Sequence, residues 1–447
     1  MRVADRHRPN HRIAGGRHAR RTSPGGRFPR LTIVLVLVGF GAAACSSVTA
    51  TPSPTGPTTA TIAFTAGSPW SGALVPVALP VPVNSVVATT CPTTSNCWGI
   101  GSTVGSGGAP NGAAVIATTD GGGHWVDQAI PATVGYLSAV ACGGPRQCVA
   151  AGQGQSTQGI VITTVDGGRT WTPGTLPTDV TAVTAVDCRT GLQCLAIAST
   201  ASGDVALTST AAATWTQVGT LPAGVGGVRG ISCVGATACW VTGYTMPDAD
   251  HVSGVVLESS TGGATWVDLP LPARAGFLNG ISCVSGPADR AGTVPPVATT
   301  APVPATTQAG ATAPTTGTVP PPAGAGDAGV RCAAVGTTAT TTLGARTGRG
   351  LVLTTENGGA TWASRSVPAM AAGLLGVSCT APSTCVAVGN TVVTTPQAGV
   401  VLFTGRTGAP WTDPTVLTTP QALTGVSCVS TNRCVVVGES LSEHLGG

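Results

Sequence analysis

The stretch that decides the fold lies between residues 137 and 177. It reads "LSAVACGGPRQCVAAG" (137–152) and, after a short loop, "GIVITTVDGGRTWTPGTLP" (159–177). Apolar residues precede Cys142, and an apolar run that ends at Gly152 follows Cys148, which is typical of two strands joined by a hairpin. A third strand leads into the turn motif TTVDGGRTW, and a fourth starts at Trp171. The stretch therefore predicts four short strands within about 45 to 50 residues.

The hairpin pattern recurs and defines seven cysteine pairs. Zinc ligands usually lie about two to four residues apart and include histidine, whereas the chain after residue 44 contains only His124, His251 and His444. No metal site is therefore expected. Because a cysteine pair spaced to close a hairpin suits a disulfide in an oxidising compartment, we predict seven local disulfides. The pairs are Cys91 with Cys97, Cys142 with Cys148, Cys188 with Cys194, Cys233 with Cys239, Cys283 with Cys332, Cys379 with Cys385, and Cys428 with Cys434.

A turn motif followed by tryptophan also recurs. Residues 118–125 (TTDGGGHW) and 164–171 (TVDGGRTW) fit the pattern S/T-x-D-x-G-x-x-W, and residues 355–362 (TENGGATW) substitute Asn357 for the aspartate. Residues 259–266 and 404–411 carry Thr261 and Arg406 in the aspartate column, and residues 208–215 lose both the aspartate and the glycine.

This column resembles the Asp-box, or BNR repeat, of sialidase-like β-propellers, a superfamily that includes the photosystem II stability factor family. The resemblance implies a blade type and no particular activity. In such a turn Asp or Asn accepts hydrogen bonds from backbone N–H groups, and Gly takes the positive φ. A catalytic aspartate would not be replaced from copy to copy, so we interpret the motif as scaffolding. Its structural residues are Trp70, Asp120, Trp125, Asp166, Trp171, Trp215, Trp266, Asn357, Trp362 and Trp411.

The repeats predict an all-β fold, a seven-bladed β-propeller of four-stranded blades. The chain starts with a tryptophan strand that lacks a cysteine hairpin and ends with a cysteine hairpin that lacks a tryptophan strand. We therefore expect residues 59–70 to pair with residues 423–438 and close the ring, which removes exposed sheet edges. The propeller is expected to span residues 59–447, with a disordered Pro/Thr/Ala-rich insertion at 284–331.

The N-terminal segment predicts export. Nine of the 21 basic residues precede residue 31, and an apolar run from Leu31 to Ala44 follows them. We interpret residues 1–44 as an export signal and residues 45–58, which are rich in Ser, Thr and Pro, as a flexible tether. The segment before Cys45 resembles the lipobox of bacterial lipoproteins, which implies a lipidated Cys45 that anchors the chain outside the cytoplasm. The alternative is an ordinary secretory signal and a fully secreted protein.

Charge and composition narrow the class of partner. Without residues 1–44 the chain keeps 12 arginines against 16 acidic residues, a formal charge of about −4, which argues against a nucleic-acid partner. Arginine without lysine, together with abundant Ala, Gly, Pro and Thr, is typical of a high-GC, actinobacterial source.

A binding site is expected on the face opposite the cysteine hairpins and the turn motifs. The richest loop there is "GYTMPDADHVSG" (243–254). It supplies Tyr244, Asp248, Asp250 and His251, and other loops add Tyr136, Arg229, Arg274, Arg346 and Arg349. The Asp-x-Asp-His run has ligand types that suit a cation, but an exposed polar loop is the favoured interpretation.

Three functions remain open from the sequence, of which the third is a structural spacer in the cell envelope. The favoured hypothesis is a monomeric, membrane-tethered propeller that binds a surface protein or a glycan, without a cofactor and without catalysis. The alternative is a divergent exo-sialidase-like glycosidase, a family that the resemblance associates with an arginine triad, a Tyr–Glu pair and an Asp. The chain after residue 44 has only Tyr136 and Tyr244 and lacks the F/Y-R-I-P motif of that family, so we assign no catalytic residue.

Overall fold

The computed structural model describes residues 59–64, 74–80, 82–104, 110–246, 251–286, 329–339, 348–382, 384–391, 398–404, 411–416, 421–430 and 433–440. These residues belong to one compact unit, Pro54–His444, and every regular element among them is a β-strand. No helical segment in this part of the chain has the length and hydropathy to cross a bilayer. The predicted export signal, the tether with Cys45, and Trp70 lie outside the described residues.

Six antiparallel blades are each built from four consecutive strands. The first contains β3 (Val83–Thr90), β4 (Cys97–Val104), β5 (Pro110–Thr118) and β6 (Val126–Asp127), and the second β7 (Val134–Gly144), β8 (Gln147–Gly154), β9 (Gly159–Thr164) and β10 (Thr172–Pro173). The third contains β11 (Val180–Cys188), β12 (Cys194–Thr200), β13 (Gly203–Ser209) and β14 (Thr216–Thr220), and the fourth β15 (Val225–Val234), β16 (Ala238–Thr245), β17 (Ser253–Ser259) and β18 (Val267–Asp268). The fifth contains β19 (Ala275–Ser285), β20 (Val330–Thr338), β21 (Gly350–Thr355) and β22 (Ala363–Arg365), and the sixth β23 (Ala371–Ala381), β24 (Thr384–Thr391), β25 (Gly399–Thr404) and β26 (Thr412–Val416).

Strands from the two ends of the chain form a closing group. Its members are β1 (Thr59–Phe64), β2 (Leu74–Ala78), β27 (Gln421–Ser430) and β28 (Arg433–Ser440). β1 lies between β2 and β28, and its central residues pair with Val435, Val436 and Val437. The predicted pairing of the terminal segments is therefore present.

The described strands make six sheets, whereas the sequence predicted seven separate blades. The difference arises because β28 also pairs with β3, through the single residue pair Glu439 and Ser85. That pair joins the closing group and the first blade into one eight-stranded sheet. The all-β propeller class is confirmed, whereas the described residues form six blades of four consecutive strands rather than the predicted seven.

The second and third strands of each blade are buried on both faces. In β8 and β12 five consecutive residues are buried, and β21 and β25 are buried along their whole length. A strand covered on both faces has no polar side to alternate with its apolar side, which explains the continuous apolar runs in the sequence. Trp98 on β4 and Trp240 on β16 are among these core residues, each at most 1% exposed.

Hydrophobic clusters join each blade to its neighbours. One cluster combines Ala141 and Val161 of the second blade with Leu207 and Trp215 of the third. Another links Val437 of the closing group to Ile116 and Trp125 of the first blade. The two halves of the eight-stranded sheet thus share an apolar core.

The first strands of the blades approach one another closely because small residues occupy one column, three positions before the first cysteine. A Cβ atom on Gly230 would lie 3.2 Å from the Cα of Gly280, and one on Gly376 would lie 3.2 Å from the Cα of Gly425. Larger side chains would separate neighbouring first strands. The small residues therefore allow backbone-to-backbone packing around the ring.

The hairpin that carries the predicted insertion is longer than expected. Beyond the cysteines, Val284 pairs with Arg331 and Ser285 pairs with Val330, and Gly286 N–H donates to Gly329 C=O at 2.6 Å. The ends of the 284–331 segment are therefore ordered strand, because the antiparallel ladder continues past the disulfide. Residues 287–328 lie outside the described residues.

Candidate functional site

The disulfides and the turn motifs lie at the same end of the strands. In the second blade Cys142 pairs with Cys148 across the hairpin, and Cys148 pairs with Thr164, the first residue of the turn motif. The same register recurs in the first, fourth, fifth and sixth blades. We call this end the disulfide face. The opposite end, which carries the loops between second and third strands and the connections between blades, is the loop face.

All seven predicted disulfides are present, with Cα–Cα distances of 3.9 to 4.1 Å. The Cys283–Cys332 bond joins residues 49 positions apart, and each of the others joins residues six positions apart. So many disulfides are typical of an oxidising, extracellular environment.

Hydrogen bonds within the turn motif account for its aspartate. In the second blade Asp166 Oδ1 accepts from Thr164 Oγ1 at 2.8 Å and from Thr170 N–H at 3.0 Å. Thr164 Oγ1 also accepts the N–H of Gly168 at 2.8 Å, and Gly168 has a φ of 90°. Hydrogen bonds from Thr170 to the ionised carboxylate lower the pKa of Asp166 to about 2. The polar atoms of this aspartate therefore serve its own turn.

The equivalent aspartate of the first blade binds a histidine. Asp120 Oδ1 accepts from His124 N–H at 3.0 Å, and Asp120 Oδ2 lies 2.6 Å from His124 Nδ1. These bonds hold the pKa of Asp120 well below its usual range. His124 also borders an open groove of about 490 Å³ that is lined by Leu79 and Pro80.

Other residues replace the aspartate without changing the bond. Asn357 Oδ1 accepts from Thr361 N–H at 3.0 Å, and Thr261 Oγ1 accepts from Thr265 N–H at 2.9 Å. The third blade differs, because Cys194 pairs with Ser209 rather than with Thr208, so its turn is one residue shorter than the sequence alignment implied. Ala212 of this turn has a φ of 52°.

The tryptophans that follow the turns are buried between blades. Their exposed fractions lie between 2% and 9%, for Trp125, Trp171, Trp215, Trp266, Trp362 and Trp411. The fourth strand of each of the six blades begins directly after this tryptophan. The tryptophans thus belong to the core and not to an accessible surface.

Aromatic and basic side chains meet on the loop face of the fourth and fifth blades. The ring centroids of Tyr244 and Phe277 are 4.8 Å apart in an edge-on arrangement. The Cζ atom of exposed Arg229 lies 5.6 Å from the centroid of the Tyr244 ring, within the range of a cation–π interaction. Its residues lie on β15 and β16, the first two strands of the fourth blade, and on β19, the first strand of the fifth blade.

Two further arginines lie at the loop-face ends of strands in the fifth blade. Arg274 C=O accepts from Ala339 N–H, and Arg349 C=O accepts from the adjacent Thr338 N–H, each at 2.9 Å. Both arginines are exposed. Arg274 has a φ of 76°, a conformation that costs an L-residue about 1 to 2 kcal/mol. We call Arg229, Tyr244, Arg274, Phe277 and Arg349 the basic–aromatic patch.

The remaining predicted binding residues lie elsewhere in the described structure or outside the described residues. His251 is exposed at the start of the segment that leads into β17, and Tyr136 is 55% exposed on β7. Asp248, Asp250 and Arg346 lie outside the described residues. Within the described residues, no group of three or more His, Cys, Asp or Glu side chains is placed to hold a metal ion.

Two aspartates that could serve a glycosidase of another type, Asp127 and Asp179, lie in different parts of the described structure. Asp127 lies on β6, the outer strand of the first blade, where burial raises its pKa. Asp179 is exposed in the connection between the second and third blades.

A half-buried acid that the sequence analysis missed, Asp187, lies between the third and fourth blades. Asp187 Oδ2 accepts from Cys233 N–H at 2.7 Å. At four other junctions the N–H of the first cysteine donates to a serine hydroxyl at 2.9 to 3.0 Å. The accepting residues are Ser232, Ser282, Ser378 and Ser427. Burial raises the pKa of Asp187 to about 6. Hydrogen bonds from the backbone N–H groups of Cys233 and Cys188 and the positive charge of Arg189 oppose this increase. The residue directly before the first cysteine is serine in four repeats and aspartate in the third blade, so a comparison of this position between repeats reveals Asp187.

Known proteins resemble this chain in fold. No protein-family model matches it, and no curated protein matches it. YCF48 from Cyanidioschyzon merolae is 14% identical with a TM-score of 0.50, over 81% of this chain and 95% of that one. YCF48 bound to D1 peptide is 12% identical with a TM-score of 0.48, over 81% and 91% of the two chains. A GH74 xyloglucanase from Xanthomonas campestris is 12% identical with a TM-score of 0.43, over 73% of this chain and 47% of that one. At these identities the likeness shows a β-propeller fold and nothing finer.

Proposed function

We propose that this protein is a non-catalytic, extracytoplasmic binding propeller of the Asp-box type, whose loop face recognises an acidic segment of a partner protein. The observation that carries the proposal is the Arg229–Tyr244–Phe277 cluster, together with the exposed Arg274 and Arg349 on the loop face of the fifth blade. Guanidinium groups bind carboxylates through paired N–H donors, and the partly exposed rings of Tyr244 and Phe277 add contact area.

The two faces differ in whether their polar side chains are available to a ligand. The Asp166 and Asp120 side chains bind their own turns, so these repeated polar groups are not free for a ligand. On the loop face, by contrast, Arg229, Arg274 and Arg349 are exposed. A partner that docks on the loop face leaves the disulfide framework unchanged.

We also propose that the closing group serves as a seventh blade. The Val437, Ile116 and Trp125 cluster supports this assignment, because it packs the closing group against the first blade as neighbouring blades pack elsewhere. The export signal at 1–44, lipidation of Cys45 and the tether at 45–58 remain part of the proposal for location. Loss of the protein from the membrane fraction in a Cys45→Ser variant tests the anchor.

Binding is tested with fluorescein-labelled hexaglutamate and hexalysine peptides, measured by fluorescence anisotropy at several salt concentrations. We expect hexaglutamate to bind with salt-sensitive affinity and hexalysine not to bind. Arg229→Gln and Arg274→Gln should each weaken binding about tenfold. Arg146→Gln, which removes an exposed arginine of the second hairpin on the disulfide face, should leave the affinity unchanged.

Two results would contradict this function. Equal binding of the two peptides, or equal losses in the Arg229→Gln and Arg146→Gln variants, would remove the patch as the binding site. Turnover of a fluorogenic sialoside that is lost in Tyr244→Phe would instead establish the glycosidase alternative.

A further inference from the structure

The seven disulfides share one layout. In every pair the second cysteine is buried, and in every pair except Cys283–Cys332 the first cysteine is partly exposed. A small thiol that approaches from solvent therefore meets the first sulfur atom, and the second sulfur is the leaving group. Since this geometry is common to the hairpins, it does not by itself make any one of them more reactive.

The Cys233–Cys239 disulfide has a cationic side chain in contact with its buried sulfur atom. Arg189 Nη2 lies 3.1 Å from the Sγ of Cys239. Arg189 directly follows Cys188 in the hairpin of the third blade, and its side chain extends to the fourth blade. The residues that directly follow the first cysteine in the other hairpins are uncharged, namely Pro92, Gly143, Val234, Val284, Thr380 and Val429.

The backbone of Arg189 is fixed by its hairpin, and its guanidinium group lies against the fourth blade. Arg189 N–H donates to Gln193 C=O at 2.9 Å. The Nε atom of Arg189 is buried and makes no hydrogen bond with the described residues. A partly buried cation with an unused donor gains a partner if the adjacent sulfur becomes a thiolate.

Thiol–disulfide exchange depends on the stability of the leaving thiolate. A thiolate that forms in a buried site without a cation is costly, whereas one beside an arginine is stabilised. The leaving sulfur of the fourth blade, Cys239 Sγ, is the one that the arginine contacts.

We propose that Cys233–Cys239 is an exchange-active disulfide that accepts two electrons from an external dithiol, while the other six disulfides are structural. A thiolate of the dithiol attacks Cys233 Sγ, the Cys233–Cys239 bond breaks, and its electron pair stays on Cys239 Sγ beside Arg189. The second thiol of the reductant then displaces Cys233. The reductant becomes a disulfide, and its two protons pass to the two cysteine thiols.

Asp187 opposes this reaction. Its carboxylate accepts the Cys233 N–H and attracts Arg189, so a negative charge there reduces the stabilisation of the thiolate. Removing this charge should accelerate reduction. Serine is the matched replacement, because four equivalent junctions use serine.

The first test uses the unaltered protein. The folded protein is treated with a series of low dithiothreitol concentrations, quenched in acid, labelled with N-ethylmaleimide and mapped by mass spectrometry. We expect Cys233 and Cys239 to be labelled about tenfold faster than Cys188 and Cys194. Reduction of another pair first, or of all pairs together, would overturn the proposal.

Three variants separate the role of Arg189 from a general effect on folding. Arg189→Leu should lower the reduction rate of Cys233–Cys239 to that of its sibling disulfides, and Arg189→Lys should retain part of the preference. Asp187→Ser should raise the rate, whereas Arg146→Leu should not change it. An unchanged preference in Arg189→Leu would overturn the proposal, as would equal losses in Arg189→Leu and Arg189→Lys.

Discussion

At the scale of single residues, equivalent positions of the repeats use different polar side chains to accept the same backbone hydrogen bond. Ser232, Ser282 and Ser378 each accept one backbone N–H from the next first strand. Asp187 makes the same bond with a carboxylate that burial keeps partly protonated near pH 6. A neutral hydroxyl therefore suffices for this bond, and the aspartate introduces a pH dependence that the serines lack.

We expect Asp187→Ser to stabilise the protein at neutral pH. The folded state raises the pKa of Asp187 from 3.8 to about 6, so the folded state binds the proton more tightly. The stabilising contribution of this group is complete below pH 4 and is lost as the pH rises through 6. Relative to its effect at pH 4, Asp187→Ser should gain about 1 to 3 kcal/mol at pH 7.5.

Urea unfolding at pH 4 and pH 7.5 measures this difference. Asp179→Ser provides the control, because Asp179 is an exposed aspartate on the connection before β11. A gain of equal size at both pH values would show that the proton on Asp187 is not coupled to folding.

At the scale of elements, six of the seven cysteine hairpins carry a glycine at one position of the second strand, where a carbonyl oxygen of the first strand approaches closely. A Cβ atom on Gly389 of β24 would lie 1.9 Å from the carbonyl oxygen of Gly373 on β23. The same approach occurs at Gly152, where the distance to Tyr136 C=O would be 2.0 Å. The third blade carries Ala198 in this column. The register of the first strand is irregular in these hairpins, and this irregularity places a carbonyl oxygen of the first strand against the second strand.

We expect Gly389→Ala to lower the free energy of unfolding by about 2 kcal/mol, because a backbone carbonyl must move to admit the methyl group. Thermal unfolding followed by circular dichroism measures the effect. Gly112→Ala is the control, since its Cβ would lie 3.6 Å from Thr103 Oγ1, an ordinary contact. Equal stability of Gly389→Ala and the parent would show that the ladder relaxes as it does around Ala198.

The hairpins and fourth strands were predictable because Cys142, Cys148 and Trp171 mark them in sequence and recur. The shorter turn of the third blade was not, because the motif was aligned from Trp215 rather than from the Cys194–Ser209 pair. The Arg229–Tyr244–Phe277 cluster was predicted only in part. Phe277 comes from a different repeat, and one-dimensional periodicity does not show which side chains meet across blades.

At the scale of the whole molecule, the chain closes through strands contributed by both ends. β1 pairs with β28, β28 pairs with β27, and a single contact with β3 merges this group with the first blade. The sequence predicted the closure, since an incomplete repeat stood at each end. It did not predict the merged sheet, which depends on one residue pair.

Removal of β1 and β2 should weaken the closed ring. A chain that starts at residue 82 leaves one edge of β28 without β1, and exposed strand edges promote self-association. We expect a lower melting temperature and oligomers by size-exclusion chromatography with light scattering. A chain that starts at residue 58 retains both strands and is the control. Equal melting temperatures and a monomeric state for both chains would contradict a stabilising role for the closure.

The position of β1 also determines how the molecule bears a mechanical load. β1 lies between β2 and β28, and its pairs with Val435, Val436 and Val437 run along the strand. Tension applied to the chain before Thr59 acts along this strand and shears those backbone bonds together rather than opening them one after another. Because these bonds share the load, we expect β1 to resist being pulled out of the ring, whichever partner applies the force.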